Sequence, residues 1–255
     1  MNEQPVANPR AAGGALIFLG VFLNIPFGIL SATFSYPQIL RFPTGDILVR
    51  FAEGGAALIF TWYAFALAAL ALLPVSWLVA SLHTQRNPGM AATLAGTLAG
   101  ILQAVGLLRW VFVVPALSSA WHSPETSAAT REAIALIFDT IHRFGGVAIG
   151  EHLGQLATAV WTVLEARALA GAGWIPRWQF GLALVAALLI TLGLSEGFAT
   201  VIPFDPGFLA FLTPAGFIVL SIWMIVTGIT LLRRHPRPTA GPIAEAFAGS
   251  SRSSV

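Results

Sequence analysis

Six long apolar stretches dominate the sequence, and short segments rich in Pro, Gly and charged residues separate them. Because a membrane-spanning helix needs about 20 mainly apolar residues, each stretch predicts one span. The predicted spans cover residues 12–33, 54–78, 89–114, 144–165, 180–200 and 208–232. Together they predict an all-α, polytopic transmembrane helical bundle over residues 12–232. A short N-terminal segment, 1–11, precedes it, and a Pro-, Ala-, Gly- and Ser-rich tail, 233–255, is expected to be disordered.

Proline and glycine mark the places where these helices should bend or end. Pro74 predicts a kink near the end of the second span, and Pro115 is expected to close the third. The turn Pro203–Gly207 should join the fifth and sixth spans as an antiparallel hairpin. The segment Ser123–Glu125 has the pattern of a helix start, so the fourth helix should begin well outside the membrane and run into its span.

Composition supports the membrane assignment and excludes several kinds of chemistry. Only 9% of residues are charged, against roughly 25% in a globular domain, while 56% are hydrophobic and the mean hydropathy is +0.80. Such a chain lacks the polar surface to cover itself in water, so the lipid bilayer is its first expected partner. The absence of Cys and Lys excludes disulfides, thiolate sites, a P-loop lysine and Schiff-base chemistry. Without a basic face, nucleic-acid binding is not expected.

Arginine positions predict how the bundle is oriented. With the N-terminus inside, the cytoplasmic segments hold eight arginines and the outer segments four, so both termini are expected in the cytoplasm. The first apolar stretch exceeds the roughly 7–15 residues of a signal-peptide core, which favours a retained span.

Two charged residues, Arg109 and Glu151, fall well inside predicted spans. Each costs roughly 2.5–3.5 kcal/mol at the centre of a bilayer, so each requires a physical reason. Arg109 either extends along its helix to the outer headgroups or forms an ion pair with Glu151, which lies at a comparable depth. Glu151 is either a structural carboxylate, protonated or paired, or a group that binds a ligand or handles protons.

The fourth span carries two stripes when its residues are placed 100° apart. Gly146, Gly150 and Gly154 form a small-residue stripe that lets another helix approach closely, in this chain or in another protein. The neighbouring polar stripe should face the bundle interior and consists of Glu151, Gln155, Thr158 and Thr162. His152 lies about 100° from Glu151 and need not share its partner.

Charged residues also form rungs at the predicted outer ends of two helices. Asp139 and Arg143 are spaced for an i,i+4 pair, with His142 beside them. The second rung consists of Asp46, Arg50 and Glu53. These rungs are either solvated helix ends or, with Glu196 and Arg109, the mouth of a polar cavity that opens outward.

The histidines do not predict a cofactor. His142 and His152 lie about 15 Å apart along one helix, so they cannot ligate one haem iron together. No H-x-x-x-H or H-E-x-x-H spacing occurs. The sequence therefore predicts no metal, no cofactor and no catalytic residue.

Three segments resemble a known family. They are Gln103–Leu117, Gly145–Gly154 and Gly173–Gly181, and they are similar to the domain-of-unknown-function 4386 family of bacterial multi-span proteins. The resemblance implies six or seven helices and a location in the bacterial inner membrane. It supplies no reaction and no role for Arg109, Glu151 or His152.

The leading hypothesis is a non-enzymatic membrane protein whose third and fourth helices enclose a polar, outward-facing cavity for a small ligand or a lipid headgroup. Glu151 would be the central acceptor, Arg109 the anion-binding group, and His152 and Gln155 flanking donors. One alternative is a structural subunit that binds another protein's helix through Gly146, Gly150 and Gly154. A less favoured alternative is an intramembrane enzyme with Glu151 or His152 as general base.

Overall fold

The computed structural model describes residues 8–83 and 87–234, and the regular elements in this part of the chain are all helices. They are α1 Pro9–Phe22, α2 Asn24–Phe34, α3 Thr44–Leu70, α4 Leu72–Ala80, α5 Asn87–Phe112, α6 Val114–His122, α7 Ala128–Ile141, the π segment His142–Leu153, α8 Gly154–Gly171, α9 Arg177–Gly193 and α10 Leu209–Leu232, with 3₁₀ turns over Gln38–Arg41 and Leu194–Thr200. Six stretches are long and apolar enough to cross a membrane, which confirms the predicted multi-pass helical bundle. Most of the predicted tail lies outside the described residues.

Three spans break a few residues before a proline, because proline has no N–H to donate to the carbonyl four residues earlier. The breaks are at Leu23, Ala71 and Val113, ahead of Pro26, Pro74 and Pro115. At Pro74, where the sequence predicts a kink, the regular helix is interrupted three residues earlier, at Ala71. The expectation that Pro115 closes the third span is wrong: the helix resumes as α6 and reaches His122, since proline is tolerated in a first helical turn.

Two helix starts differ from the prediction. The second stretch begins at Thr44 and not near Gly54, although Gly55 has φ 52° and divides the stretch close to the predicted boundary. The fourth begins at Ala128 and not at Ser123, because it is Ser127 whose hydroxyl accepts the Thr130 N–H, at 3.1 Å. From Ala128 the helix runs for 44 residues into the membrane stretch, as expected.

The six spans form a closed ring in chain order. α1 packs on α10, α10 on α9, α9 on α8, α8 on α5 and α5 on both α3 and α4. Contacts of α4 with α1 and of α3 with α2 close the ring. Gly207, with φ 50° and its N–H 2.9 Å from Asp205 Oδ1, makes the turn that sets α9 beside α10 as the predicted hairpin.

The ring has two ends, which we name after one residue each. The Arg41 end comprises residues 35–43, 123–127 and 201–208, and the His83 end comprises residues 81–83 and 172–176. An aromatic cluster lies toward the Arg41 end, where the rings of Trp62 and Trp110 stack with centroids 4.8 Å apart. A larger aliphatic core around Trp161 and Trp223 lies toward the His83 end. Each core packs side chains from several spans against one another and so holds these helices together.

Candidate functional site

A cavity of about 450 Å³ lies inside the ring, toward the Arg41 end, and residues from all six spans line it. Its size is in the range of small-molecule pockets, roughly 300–1,000 Å³. Aromatic and aliphatic side chains make up most of its wall. Its polar lining residues are Asn24, Tyr36, Gln38, Arg41, Gln103, Arg109, Glu151, His152, Gln155, Glu196, Thr213 and Ser221.

The four residues predicted to bind a ligand lie in this one cavity. Glu151, His152 and Gln155 come from the fourth span and Arg109 from the third. Glu151 is 22% exposed at its side chain and lines the cavity, so neighbouring helices shelter it as the hypothesis requires. Ligand binding by these residues remains a prediction.

The π segment brings these side chains to the cavity. A π-helix has more residues per turn than an α-helix, and π-helical insertions in α-helices are frequent at functional sites. In this segment Glu151 and His152 are adjacent in sequence and both line the cavity. Because the segment is π-helical, the 100° spacing of an α-helix does not apply over residues 142–153, although Gly146, Gly150 and Gly154 still share the face predicted from it.

Glycines of the fourth span allow close contact with α5 of the same chain. A Cβ on Gly106 would lie 2.7 Å from Cα of Gly150, and one on Gly154 would lie 2.7 Å from Gln103 Cγ. Gly146 makes room for an arginine, because its Cβ would lie 2.6 Å from Arg109 Nη2. The predicted glycine stripe thus packs on α5. Association of this stripe with another protein remains a prediction.

Arg109 is buried inside the bundle, with 8% of its surface exposed. Its Nη1 donates to the Gly106 carbonyl, its Nη2 lies 3.4 Å from His142 Nδ1, and its buried Nε has no partner among the described residues. Both interpretations of Arg109 were wrong, since it neither extends to the headgroups nor pairs with Glu151. A buried guanidinium without a carboxylate is a strong anion-binding group.

His142 holds this guanidinium against the loop at the Arg41 end. Its Nε2 lies 3.1 Å from the Leu40 carbonyl, which can only accept, so Nε2 carries the proton. Nδ1 is then the acceptor that faces Arg109 Nη2. Phe138 stacks on the imidazole at 5.5 Å. His142 therefore positions Arg109, a role that sequence reasoning did not foresee.

Arg41 and two carboxylates lie at the edge of the cavity. Arg41 Nε lies 2.8 Å from Glu196 Oε1, and its Nη2 lies 3.3 Å from Glu151 Oε2. Burial would lower the pKa of Arg41, but the two carboxylates outweigh it and raise the pKa. In the sequence, Arg41 was only one of the four arginines counted in the outer segments. Nothing in the local pattern indicated its partners, because the 3₁₀ turn that carries it lies 110 and 155 positions from them.

The charged rungs have partners other than those expected. Asp139 accepts a hydrogen bond from Thr44, at 2.6 Å, and Arg143 donates to the Thr200 carbonyl, at 2.8 Å. The predicted Asp139–Arg143 pair does not form, because each side chain contacts a neighbouring segment. Arg50 donates to Ser35 at the Arg41 end. These contacts tie the loops together around the cavity and leave its charged edge to Arg41, Glu151 and Glu196.

The part of the polar stripe nearer the His83 end, Thr158 and Thr162, is buried where α8 packs against its neighbours. Thr158 is buried and accepts from Gln103 Nε2 at 2.9 Å, and Thr162 donates to the Thr158 carbonyl at 2.8 Å. The expectation that this stripe faces the interior is confirmed. His152 lies beside the Phe198 ring, at 5.4 Å. Within residues 8–83 and 87–234 no group of three His, Asp or Glu side chains is placed to share a metal ion.

A second buried polar pair lies at the His83 end and was not predicted. The side chain of Glu165 is fully buried and is hydrogen-bonded to His83 Nε2. Glu165 Oε2 and His83 Nδ1 have no partner among the described residues. Sequence reasoning placed Glu165 at the cytoplasmic end of its span, and only the fold of residues 81–83 over α8 encloses it.

The chain matches one family model, Domain of unknown function (DUF4386), over residues 11–228. No curated protein and no solved structure matches it at a significant level. The matched region runs from the first helix to near the end of α10 and includes every residue that lines the cavity. This multi-pass membrane protein therefore belongs to the domain-of-unknown-function family DUF4386.

Proposed function

We propose that this chain is a non-enzymatic protein of the bacterial inner membrane that binds a small ligand or a lipid headgroup in the cavity at its Arg41 end. The observation that carries the proposal is Arg109: a guanidinium more than nine-tenths buried, lining the cavity, with no carboxylate partner among the described residues. Such a group is costly without an anion, and a bound acidic group would offset that cost.

In this proposal each predicted residue has a distinct role. Arg109 binds an acidic oxygen, and Glu151 accepts from a donor on the ligand. His152 and Gln155 flank the ligand with further polar groups. By the arginine distribution the Arg41 end faces outward and both termini lie in the cytoplasm.

An enzymatic role for Glu151 has weaker support. A general base works best with a partner that orients it or takes up the proton. Glu151 Oε2 contacts Arg41 at 3.3 Å and His152 packs against the Phe198 ring, so the described contacts of these two residues do not make them a hydrogen-bonded acid–base pair. The same groups are well suited to binding a polar molecule.

Analysis of copurified molecules tests the proposal. The full chain and the Arg109→Gln variant are purified in a mild detergent, and released small molecules and lipids are quantified by mass spectrometry. The exposed Arg167, which lies away from the cavity, supplies the matched control Arg167→Gln. We expect one species near stoichiometric amounts with the wild type and the control, and its loss with Arg109→Gln. Equal retention by all three proteins, or retention by none, would refute the proposal.

A further inference from the structure

The charges of the cavity fall into two groups of opposite sign. Arg41 lies between Glu151 and Glu196, so one positive charge faces two negative charges and the group keeps one excess negative charge. Neither carboxylate has another cationic partner among the described residues. Arg109, elsewhere in the same lining, carries one positive charge and has no carboxylate within 4 Å among the described residues. These four side chains are therefore neutral in sum, but their charges are divided into a negative and a positive part of the lining.

Arg109 retains unused hydrogen-bonding capacity on the positive side. A guanidinium has five N–H donors, and two of them contact Gly106 and His142. Arginine matches phosphate and carboxylate oxygens particularly well. The guanidinium packs directly on the π segment at Gly146, where any larger residue would place its Cβ too close to the Arg109 side chain.

An apolar side of the cavity lies between α2 and α10. The side chain of Asn24 joins the two spans by donating to Ser221 Oγ at 2.8 Å, and beyond this bond α2 packs on α3. Phe27 and Phe217 line the cavity there. Phe211 and Ile218 also line it, yet they are 66% and 53% exposed on the outer surface of the bundle. A chain of methylene groups in the cavity would therefore continue into the surrounding bilayer.

We propose, building on the proposed function, that the ligand is a zwitterionic phospholipid. Its phosphate binds Arg109, its ammonium group binds the oxygens of Glu151 and Glu196 that Arg41 does not contact, and an acyl chain leaves the cavity between α2 and α10. An ammonium neutralises the excess charge of the carboxylates, and a phosphate supplies the missing counter-ion of Arg109. A lipid with only the anionic group neutralises Arg109 but leaves the excess negative charge of Glu151 and Glu196. The cavity should therefore prefer a zwitterionic headgroup to an anionic one.

Native mass spectrometry of the full chain in nanodiscs tests this inference. Retention is compared between phosphatidylethanolamine, phosphatidylglycerol and an N-acetylated phosphatidylethanolamine, which keeps the phosphate and loses the ammonium charge. We expect roughly tenfold stronger retention of the first, since a charge-assisted hydrogen bond contributes about that factor. Glu196→Gln should abolish this preference, and Glu132→Gln, an exposed acid on α7 away from the cavity, should preserve it.

The outcomes separate this inference from the function on which it rests. If all three lipids are retained equally, and Arg109→Gln weakens all of them, a headgroup site exists but the selection of a zwitterion is wrong. If no amphiphile is retained in an Arg109-dependent way, the proposed function fails as well. Free phosphoethanolamine is the competitor that tests the acyl chain. If free phosphoethanolamine displaces the phospholipid when both are present at equal concentration, the acyl chain adds nothing to binding. The proposal that this chain leaves the cavity between α2 and α10 would then be wrong.

Discussion

Arg41 Nη2 lies 3.3 Å from Glu151 Oε2, although 110 positions separate these residues in the sequence. The contact joins the loop after α2 to the π segment at the edge of the cavity. Arg41 also binds Glu196, and its positive charge therefore weakens the repulsion between the two negatively charged carboxylates. It also leaves Arg109 as the cation that a ligand can neutralise.

We expect a modest stability cost when Arg41 is replaced by Gln. Its side chain is 28% exposed and those of both acids are 22% exposed, so solvent screens the pairs. A double-mutant cycle of Arg41→Gln with Glu196→Gln should give a coupling of about 0.2–1 kcal/mol. The measurement is the free energy of unfolding in mixed micelles, with the exposed Arg177→Gln as control. A coupling of zero would contradict the ion pair.

Much of the architecture follows from hydropathy alone. Spans could be predicted because lipid admits only long apolar helices, and the proline at position 74 bends its helix wherever that helix packs. The sequence also indicated that Arg109 and Glu151 must be sheltered from lipid, since a charge inside a span needs a local reason whatever the fold. Both residues line the same cavity.

The partners of these charges could not be predicted from the sequence. Hydropathy does not determine that the Leu40–Arg41 turn folds over the fourth span. For this reason Arg41 was not predicted as the partner of Glu151, nor His142 as the partner of Arg109. The π segment also changes which residues share a face, and no local pattern distinguished it from an α-helix. Glu165 was missed for a related reason: its burial depends on a loop from another span.

The contact between α5 and the π segment should be sensitive to one methyl group. In Gly150→Ala the new Cβ would lie 2.9 Å from Cα of Gly106, so the backbones must separate. We expect a loss of about 1–3 kcal/mol in the free energy of unfolding. Gly145→Ala is the matched control from the same segment, because its Cβ would meet nothing within 4 Å. Equal stabilities of the two variants would contradict the close approach.

The buried His83–Glu165 pair gives a prediction at the other end of the bundle. His83→Leu removes the partner of a fully buried carboxylate and should destabilise the protein by roughly 3–5 kcal/mol. The double variant His83→Leu/Glu165→Leu should recover a large part of that loss, since an apolar pair can replace a buried ion pair at little cost. Thermal unfolding in detergent measures both variants. A double variant less stable than His83→Leu would show that Glu165 has another essential partner.

The orientation of the bundle can be tested with single cysteines, because the natural chain has none. Glu125→Cys places an exposed thiol at the Arg41 end, and Gly171→Cys places one near the His83 end, where an added Cβ meets nothing within 4 Å. If arginine-rich segments stay in the cytoplasm, a membrane-impermeant maleimide should label Glu125→Cys in intact cells. Gly171→Cys should react only after permeabilisation. The reverse pattern would place the cavity mouth in the cytoplasm, and the ligand would then have to reach Arg41 from that side of the membrane.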